Sequence, residues 1–129
     1  MAGSLRLTER MNWIALKEPD QLEALRAESK NQPVVIFKHS TSCSISRTAL
    51  NRLERNWKEE EMASVKLYYL DLLSYREISN GIADLFEVRH ESPQVILLKD
   101  GEAVFHRSHF DIDFTSIRNA ALTATSVKN

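Results

Sequence analysis

The chain is poor in cysteine, with Cys43 as the only one among its 129 residues. A single cysteine excludes an internal disulfide. It therefore also excludes a small secreted scaffold held together by disulfides and a zinc site built from several cysteines. Any redox chemistry of this thiol must take place between molecules.

Two further absences narrow the class of protein. The formal net charge at pH 7 is −1, which gives no electrostatic reason to expect nucleic acid or an anionic membrane as a partner. No stretch approaches the ~20 apolar residues of a membrane-spanning helix, and residues 1–10 contain no apolar core of a signal peptide. We therefore expect a cytoplasmic protein, with residues 1–10 as a loose extension, Met11 as a second candidate start, and residues 11–129 as a single domain.

Apolar runs alternate with helix-like periodicity along the first two thirds of the chain. Strands are predicted at residues 13–16, 34–37 and 65–70, and an amphipathic helix follows each of them. This alternation indicates parallel strands joined by crossover helices. The helix predicted over residues 45–57 has its apolar positions at Ile45, Ala49, Leu50, Leu53 and Trp57.

The pattern changes in the last third of the chain. Residues 94–99 and 102–107 are two strand-prone runs separated only by Asp100-Gly101, which is a strong signal for a β-hairpin. A last helix is predicted over about residues 113–124, with Phe114, Ile117 and Leu122 on its buried face.

Cys43 lies at the junction of a predicted strand and a predicted helix. It is part of Ser40-Thr41-Ser42-Cys43-Ser44-Ile45-Ser46, which follows the apolar run at residues 34–37. At a helix N-terminus, the unpaired N–H groups and the positive end of the helix dipole favour a thiolate over a thiol. The alternative is that Cys43 is a small, buried hydrophobic residue. Its serine and threonine neighbours argue against this, because they are not typical of a core site. We predict that Cys43 is partly exposed and acts as a nucleophile.

Polar residues next to Cys43 are candidates for supporting roles. Lys38 and His39 either add positive charge near the sulfur or form a strand end that turns toward solvent. Thr41 and Ser42 either donate hydrogen bonds to a thiolate or only form the turn.

A second polar cluster lies at the end of the predicted hairpin. Its histidines and carboxylates are of the types that bind zinc, but they have no helical His-x-x-x-His spacing and are polar as a sheet edge should be. We expect no metal there. The cluster consists of His106, His109, Asp111 and Asp113.

The predicted order β-α-β-α-β-α-β-β-α resembles the thioredoxin fold, with a reactive cysteine after the second strand and a proline before the fourth. The resemblance extends to Tyr69-Leu70-Asp71, Val88-Arg89 and the run from Ser92-Pro93 to Asp100-Gly101-Glu102. It implies an α/β domain with a central mixed β-sheet flanked by helices, ending in a β-hairpin and a helix. It also implies that Ser92–Pro93 is a cis peptide beside the cysteine, where an extended partner segment docks like an added strand.

Residues 37–46 resemble more specifically the monothiol bacilliredoxins, which have Cys-Pro-Ile-Ser where this chain has Cys43-Ser44-Ile45-Ser46. Ser44 in place of proline loosens the first helical turn but keeps the nucleophile and the helix start. Ser46 takes the position of the resolving cysteine in a Cys-x-x-Cys motif, and it could also cap the helix or lie in its first turn. Phe37 stands where thioredoxins keep a buried aspartate.

The resemblance implies a thiol-disulfide oxidoreductase that takes a small thiol from S-thiolated proteins onto Cys43. Bacillithiol would be a co-substrate, and no cofactor or metal would be bound. Two alternatives stay open. One is an iron–sulfur carrier of the monothiol glutaredoxin type, in which two subunits each give one cysteine and two small thiols complete the ligands. The other is a binding module that holds partners at Pro93 and makes no redox use of Cys43.

Overall fold

The computed structural model describes residues 11–127 of the chain, which contain five strands and four α-helices. The predicted extension, residues 1–10, lies outside this part. Within it, no helix is both long and apolar enough to cross a bilayer. In chain order the elements are β1 (Ile14–Ala15), α1 (Gln21–Glu28), β2 (Val34–His39), α2 (Ser44–Asn56), β3 (Lys66–Asp71), α3 (Arg76–Phe86), β4 (Gln94–Lys99), β5 (Glu102–Ser108) and α4 (Phe114–Val127), with short 3₁₀ helices at Glu59–Glu61 and His109–Asp111.

The strands form one mixed sheet in the order β1-β3-β2-β4-β5. Strands β1 and β2 both run parallel to β3, whereas β4 is antiparallel to β2 and β5 is antiparallel to β4. The parallel part joined by helices and the hairpin that follows it are both as the sequence predicted.

Strand β2 is central, and all six of its residues are buried. Its side chains alternate between two cores, as the twofold periodicity of a strand requires. Val35 and Phe37 face a core shared with α2 and α4, whereas Val34 and Ile36 face a core shared with α1 and α3. The C-terminal end of β2 therefore points one side chain toward α2 and the next toward α3.

The hairpin turn between β4 and β5 is the Asp-Gly turn expected from the sequence. Asp100 and Gly101 have φ values of 56° and 82°, the left-handed region that a tight hairpin turn requires. The buried Ser29 holds this turn, because its carbonyl oxygen accepts from Asp100 N at 2.7 Å and its hydroxyl oxygen accepts from Gly101 N at 2.8 Å.

Two apolar residues predicted to be buried are exposed. Ile45 is 39% exposed and Leu122 is 55% exposed, so both predictions are wrong. Each residue lies one position away from the face of its helix that packs on the sheet. On α2 that face begins at Ser46 and continues through Ala49, Leu50 and Leu53, and on α4 it consists of Phe114, Ile117 and Ala121.

Candidate functional site

Cys43 is the residue immediately before α2 and serves as its N-cap. Its backbone is extended, with φ −107° and ψ 124°, and the residue is half-buried. Its N–H donates to the carbonyl oxygen of Ser40 at 3.1 Å, and its own carbonyl oxygen accepts from Arg47 N at 3.1 Å. The thiol therefore lies at the strand-to-helix turn predicted from the sequence, between a tight turn and the first helical hydrogen bond.

Ser46 lies fully buried beneath this turn, on the inner face of α2. Its Oγ is 2.6 Å from Nδ1 of His39 and accepts a hydrogen bond from the N–H of Ser40 at 3.0 Å. Ser46 is thus a first-turn residue whose hydroxyl binds inward, and Cys43 holds the cap position. The serine that occupies the resolving position joins the first turn of α2 to the end of β2, on either side of the turn that carries the cysteine.

His39 is only 5% exposed at the end of β2. Burial lowers the pKa of its imidazole below the ordinary value of 6.5, and the nearby Asp71 carboxylate offsets this only in part. Arg47 acts in the same direction as burial. Burial thus disfavours the charged imidazolium, which argues against the hypothesis of a charge beside the sulfur. The buried position contradicts the alternative of a side chain turned toward solvent.

Lys38 lies on the opposite face of the sheet from His39 and is fully buried. Its Nζ is 3.3 Å from the carbonyl oxygen of Ser79 in α3 and 3.3 Å from Nδ1 of His90. Burial lowers its pKa from 10.5 to about 8. The predicted strand end turned toward solvent is wrong for Lys38 too, because successive side chains of a strand alternate between faces and both faces of β2 are covered.

The polar residues beside Cys43 form the turn. Thr41, Ser42 and Ser44 are exposed, and in the described part of the chain no hydrogen bond joins their hydroxyls to Cys43. The carbonyl oxygen of Thr41 accepts from Nη1 of Arg47 at 3.1 Å. Of the two hypotheses for Thr41 and Ser42, the geometry favours turn formation over donation to the sulfur.

The loop at Ser92 and Pro93 lies at the same end of the sheet as Cys43. Lys38 at the end of β2 pairs in register with Gln94 at the start of β4, which brings the residue before Gln94 opposite the end of β2. The Ser92–Pro93 bond is cis, the isomer that the resemblance implied. Pro93 is buried and Ser92 half-buried. The carbonyl oxygen of Pro93 is not open to a partner segment, because it accepts from His109 N at 3.0 Å.

Two other expectations concern the missing buried aspartate and the metal site. Phe37 is fully buried and packs edge-on against Trp13, with ring centroids 6.0 Å apart, so the position of the thioredoxin aspartate is apolar. Across residues 11–127, no three or more His, Cys, Asp or Glu side chains are grouped so that they could hold a metal ion. This includes the polar residues at the end of β5.

Four residues of this region were not found from the sequence. Ser40 contributes through its backbone, and Arg47 reaches back to the turn from the first turn of α2. Ser79 and His90 contact Lys38 from positions 41 and 52 residues away. A local pattern contains no signal for such distant pairs, although His90 lies close in sequence to Pro93.

Comparisons with known proteins agree with this geometry. Residues 14–117 match the family described as monothiol bacilliredoxin BrxC. A solved structure described as a candidate oxidoreductase with a thioredoxin fold is 36% identical, with a TM-score of 0.71, over 83% of this chain and 91% of that chain.

Two thioredoxins of lower sequence identity show the same fold. The Fasciola hepatica protein is 21% identical, with a TM-score of 0.61, over 85% of this chain and 97% of its own. The Trypanosoma brucei brucei protein is 15% identical, with a TM-score of 0.63, over 91% of this chain and 92% of its own. The predicted thioredoxin-like fold class is confirmed, and the chain belongs to the monothiol bacilliredoxin BrxC family, a membership that supports a thiol redox role.

Proposed function

We propose that this protein is a monothiol thiol-disulfide oxidoreductase that removes bacillithiol from S-thiolated proteins through a mixed disulfide at Cys43. The observation that carries the proposal is the combination of Cys43 at the cap of α2 with Ser46 in its first turn. The sole cysteine of the chain caps the helix and is half-exposed, and the position of a resolving cysteine holds a buried serine. A nucleophile is present, and an internal thiol to displace an adduct is absent.

The reaction consists of two exchanges, each of which breaks one disulfide bond and forms another. The Cys43 thiolate attacks the small-thiol sulfur of the S-thiolated protein, and the repaired cysteine leaves as a thiolate and takes up a proton. A second molecule of the small thiol, as its thiolate, then attacks the sulfur attached to Cys43. Cys43 leaves as a thiolate, and the small thiol is released as its own disulfide. In this scheme bacillithiol is a co-substrate and not a bound cofactor. The proposed location of the reaction is the cytoplasm.

The target protein is proposed to dock on the loop that contains Ser92 and Pro93. The pairing of β2 with β4 brings this loop to the cysteine end of the sheet. Because the Pro93 carbonyl oxygen already binds His109 N, the backbone groups that would pair with an extended segment are those of Ser92. Main-chain pairing of this kind holds a substrate without selecting its side chains, as a protein that repairs many targets requires.

The first prediction concerns adduct formation on the full chain. Incubation with oxidised bacillithiol should give a species heavier by one bacillithiol, and addition of reduced bacillithiol should remove it. Both changes are measured by intact-mass spectrometry. Oxidised glutathione and coenzyme A disulfide, tested in parallel, identify which small thiol the site prefers. An S-bacillithiolated peptide should transfer its bacillithiol to the protein in the same assay.

The matched control is Cys43→Ser, which should form no adduct with any of these compounds. If the wild-type protein forms none either and Cys43→Ser binds partners unchanged, the binding-module alternative replaces the proposal. A brown, cluster-containing dimer after anaerobic reconstitution with iron, sulfide and a small thiol would instead favour an iron–sulfur carrier.

A further inference from the structure

A buried hydrogen-bond bracket lies beneath the cysteine turn and is not part of the exchange reaction. It starts at Nδ1 of His39, passes through Oγ of Ser46 and reaches the N–H of Ser40, over contacts of 2.6 and 3.0 Å. The carbonyl oxygen of Ser40 then accepts from the N–H of Cys43 at 3.1 Å. The hydroxyl of Ser46 thus connects the first turn of α2 to His39 and Ser40 at the end of β2, across the turn that carries Cys43.

The hydroxyl of Ser46 makes two hydrogen bonds in this bracket. A serine hydroxyl has one hydrogen to donate and two lone pairs. The Ser40 N–H takes one lone pair, and the contact with Nδ1 of His39 uses either the hydroxyl hydrogen or the second lone pair, according to the tautomer of the imidazole. Because Ser46 is fully buried, no water replaces either bond if the hydroxyl is removed, and Ser40 N–H would be left without its partner.

We propose that His39 and Ser46 are positioning residues that hold residues 40–43 in the conformation that places the Cys43 thiol at the N-terminus of α2. The inference deepens the proposed exchange reaction and rests on it. It assigns Ser46 a task of its own: the hydroxyl at the resolving position orients the turn that presents the nucleophile, and the imidazole of His39 fixes that hydroxyl.

The exposed part of the turn shows why such a bracket is needed. Thr41 and Ser42 are exposed and contribute no side-chain packing, so the turn is held by hydrogen bonds. On its outer side Arg47 binds the Thr41 carbonyl oxygen at 3.1 Å, and on its inner side Ser46 binds the Ser40 N–H. The thiolate gains from the helix N-terminus only while Cys43 stays at the cap position.

The chain offers a closely matched control for Ser46. Ser79 in α3 is also buried, at 1% exposure, and its Oγ also contacts Nδ1 of a histidine, His90, at 3.4 Å. Removal of either hydroxyl deletes one contact between a buried helical serine and a histidine, although the one at His90 is longer and His90 is exposed. Only Ser46 is connected to the turn that carries the cysteine.

The experiment compares Ser46→Ala with Ser79→Ala by the rate of alkylation of Cys43 with iodoacetamide across pH. We expect the rate constant at pH 7 to fall roughly tenfold in Ser46→Ala, which is the order of the cost of leaving a buried N–H without its partner. The whole profile should move to higher pH. Ser79→Ala should react like the wild type. Equal profiles for all three proteins would overturn the proposal, because the bracket would then contribute only to stability.

A second pair of variants tests the imidazole and does not depend on Ser46→Ala folding. Asparagine and leucine have nearly the same shape, but only asparagine keeps a polar atom where Nδ1 of His39 lies. His39→Asn should therefore keep most of the alkylation rate, whereas His39→Leu should lose it as Ser46→Ala does. Equal rates in the two variants would contradict the role assigned to His39.

Alkylation separates this inference from the proposed function, since iodoacetamide requires no disulfide exchange. If no small disulfide reacts with the protein but the Ser46→Ala profile still shifts, the proposed function fails and the positioning role stands. If exchange proceeds normally and the Ser46→Ala profile does not shift, the reverse holds.

Discussion

Replacement of Ser46 by cysteine is expected to change the protein from one that stores a mixed disulfide into one that expels it. In the wild type, an adduct at Cys43 has no internal attacker among the residues of the chain, which contains no other cysteine. It should persist until free small thiol is added, and its lifetime should shorten in proportion to the concentration of that thiol. In Ser46→Cys, the new thiolate attacks Sγ of Cys43 and the small thiol leaves as a thiolate.

The geometry of α2 allows this internal disulfide. Cα atoms three residues apart on a helix lie about 5 Å from each other, and a disulfide needs Cα atoms within about 4.4 to 6.8 Å of each other. Nδ1 of His39 lies 2.6 Å from the Oγ atom that the new sulfur replaces. In the tautomer with no hydrogen on Nδ1, the imidazole accepts the proton of the new thiol.

The same substitution weakens the bracket to Ser40, so two effects oppose each other. Loss of the bracket costs roughly tenfold in the reactivity of Cys43. The internal thiol gains an effective concentration that reaches on the order of 10⁵ M or more when the groups are well oriented. The loss slows the formation of the adduct, whereas the effective concentration speeds its expulsion, so the adduct should still be expelled once it has formed.

Intact-mass spectrometry over time, with no free thiol present, measures the outcome. Ser46→Cys should lose the adduct and end lighter than its reduced form by two hydrogen atoms. Ser79→Cys is the control, because it adds a buried thiol in α3 on the other face of the sheet and should keep its adduct. Spontaneous decay of the wild-type adduct at the rate of Ser46→Cys would show that the monothiol mechanism is wrong.

The backbone features around the site were largely predictable from the sequence. The position of Cys43 follows from local signals, because an apolar run, a polar turn and an amphipathic stretch occur in that order. The Asp100-Gly101 turn is equally local, since both residues adopt the left-handed backbone that such a turn needs.

The polar interior of the site could not be predicted in the same way. The apolar periodicity predicted that Ile45 is in the core and predicted nothing about the burial of Ser46. In the structure Ile45 is exposed and Ser46 is buried. A serine is buried where distant groups satisfy its hydroxyl, and here these are His39 and the Ser40 N–H. Lys38 shows the same limit, because its partner His90 is 52 residues away.

Lys38→Met is expected to stabilise the protein near pH 7. The ammonium group is fully buried, and its hydrogen-bond partners in the described part of the chain are neutral: the Ser79 carbonyl oxygen and Nδ1 of His90. Burial without a carboxylate partner lowers its pKa to about 8, which means that folding works against the charged form. Methionine fills the space of the lysine stem and carries no charge.

The pH dependence of this effect has a definite sign. Between the folded-state pKa of about 8 and the unfolded value of 10.5, the unfolded chain binds more protons at Lys38, so the wild type gains stability as the pH rises. Below pH 8 both states are protonated and the full cost of burial remains, about 1 to 3 kcal/mol. Lys38→Met should therefore gain that amount at pH 7 and lose most of its advantage near pH 10.

Urea denaturation of the wild type and Lys38→Met at pH 7, 8.5 and 10 measures this difference. Burial raises the pKa of Tyr69 to about 12 and also raises that of Tyr68, which destabilises both proteins alike at high pH, so these contributions cancel in the comparison. Lys66→Met is the control, because Lys66 is half-buried and paired with Glu28 at 3.1 Å, and its loss should give no gain at pH 7. If Lys38→Met is less stable than the wild type at pH 7, the hydrogen bonds from Nζ to Ser79 and His90 outweigh the cost of burying the charge, and Lys38 holds the loop before Pro93 in place.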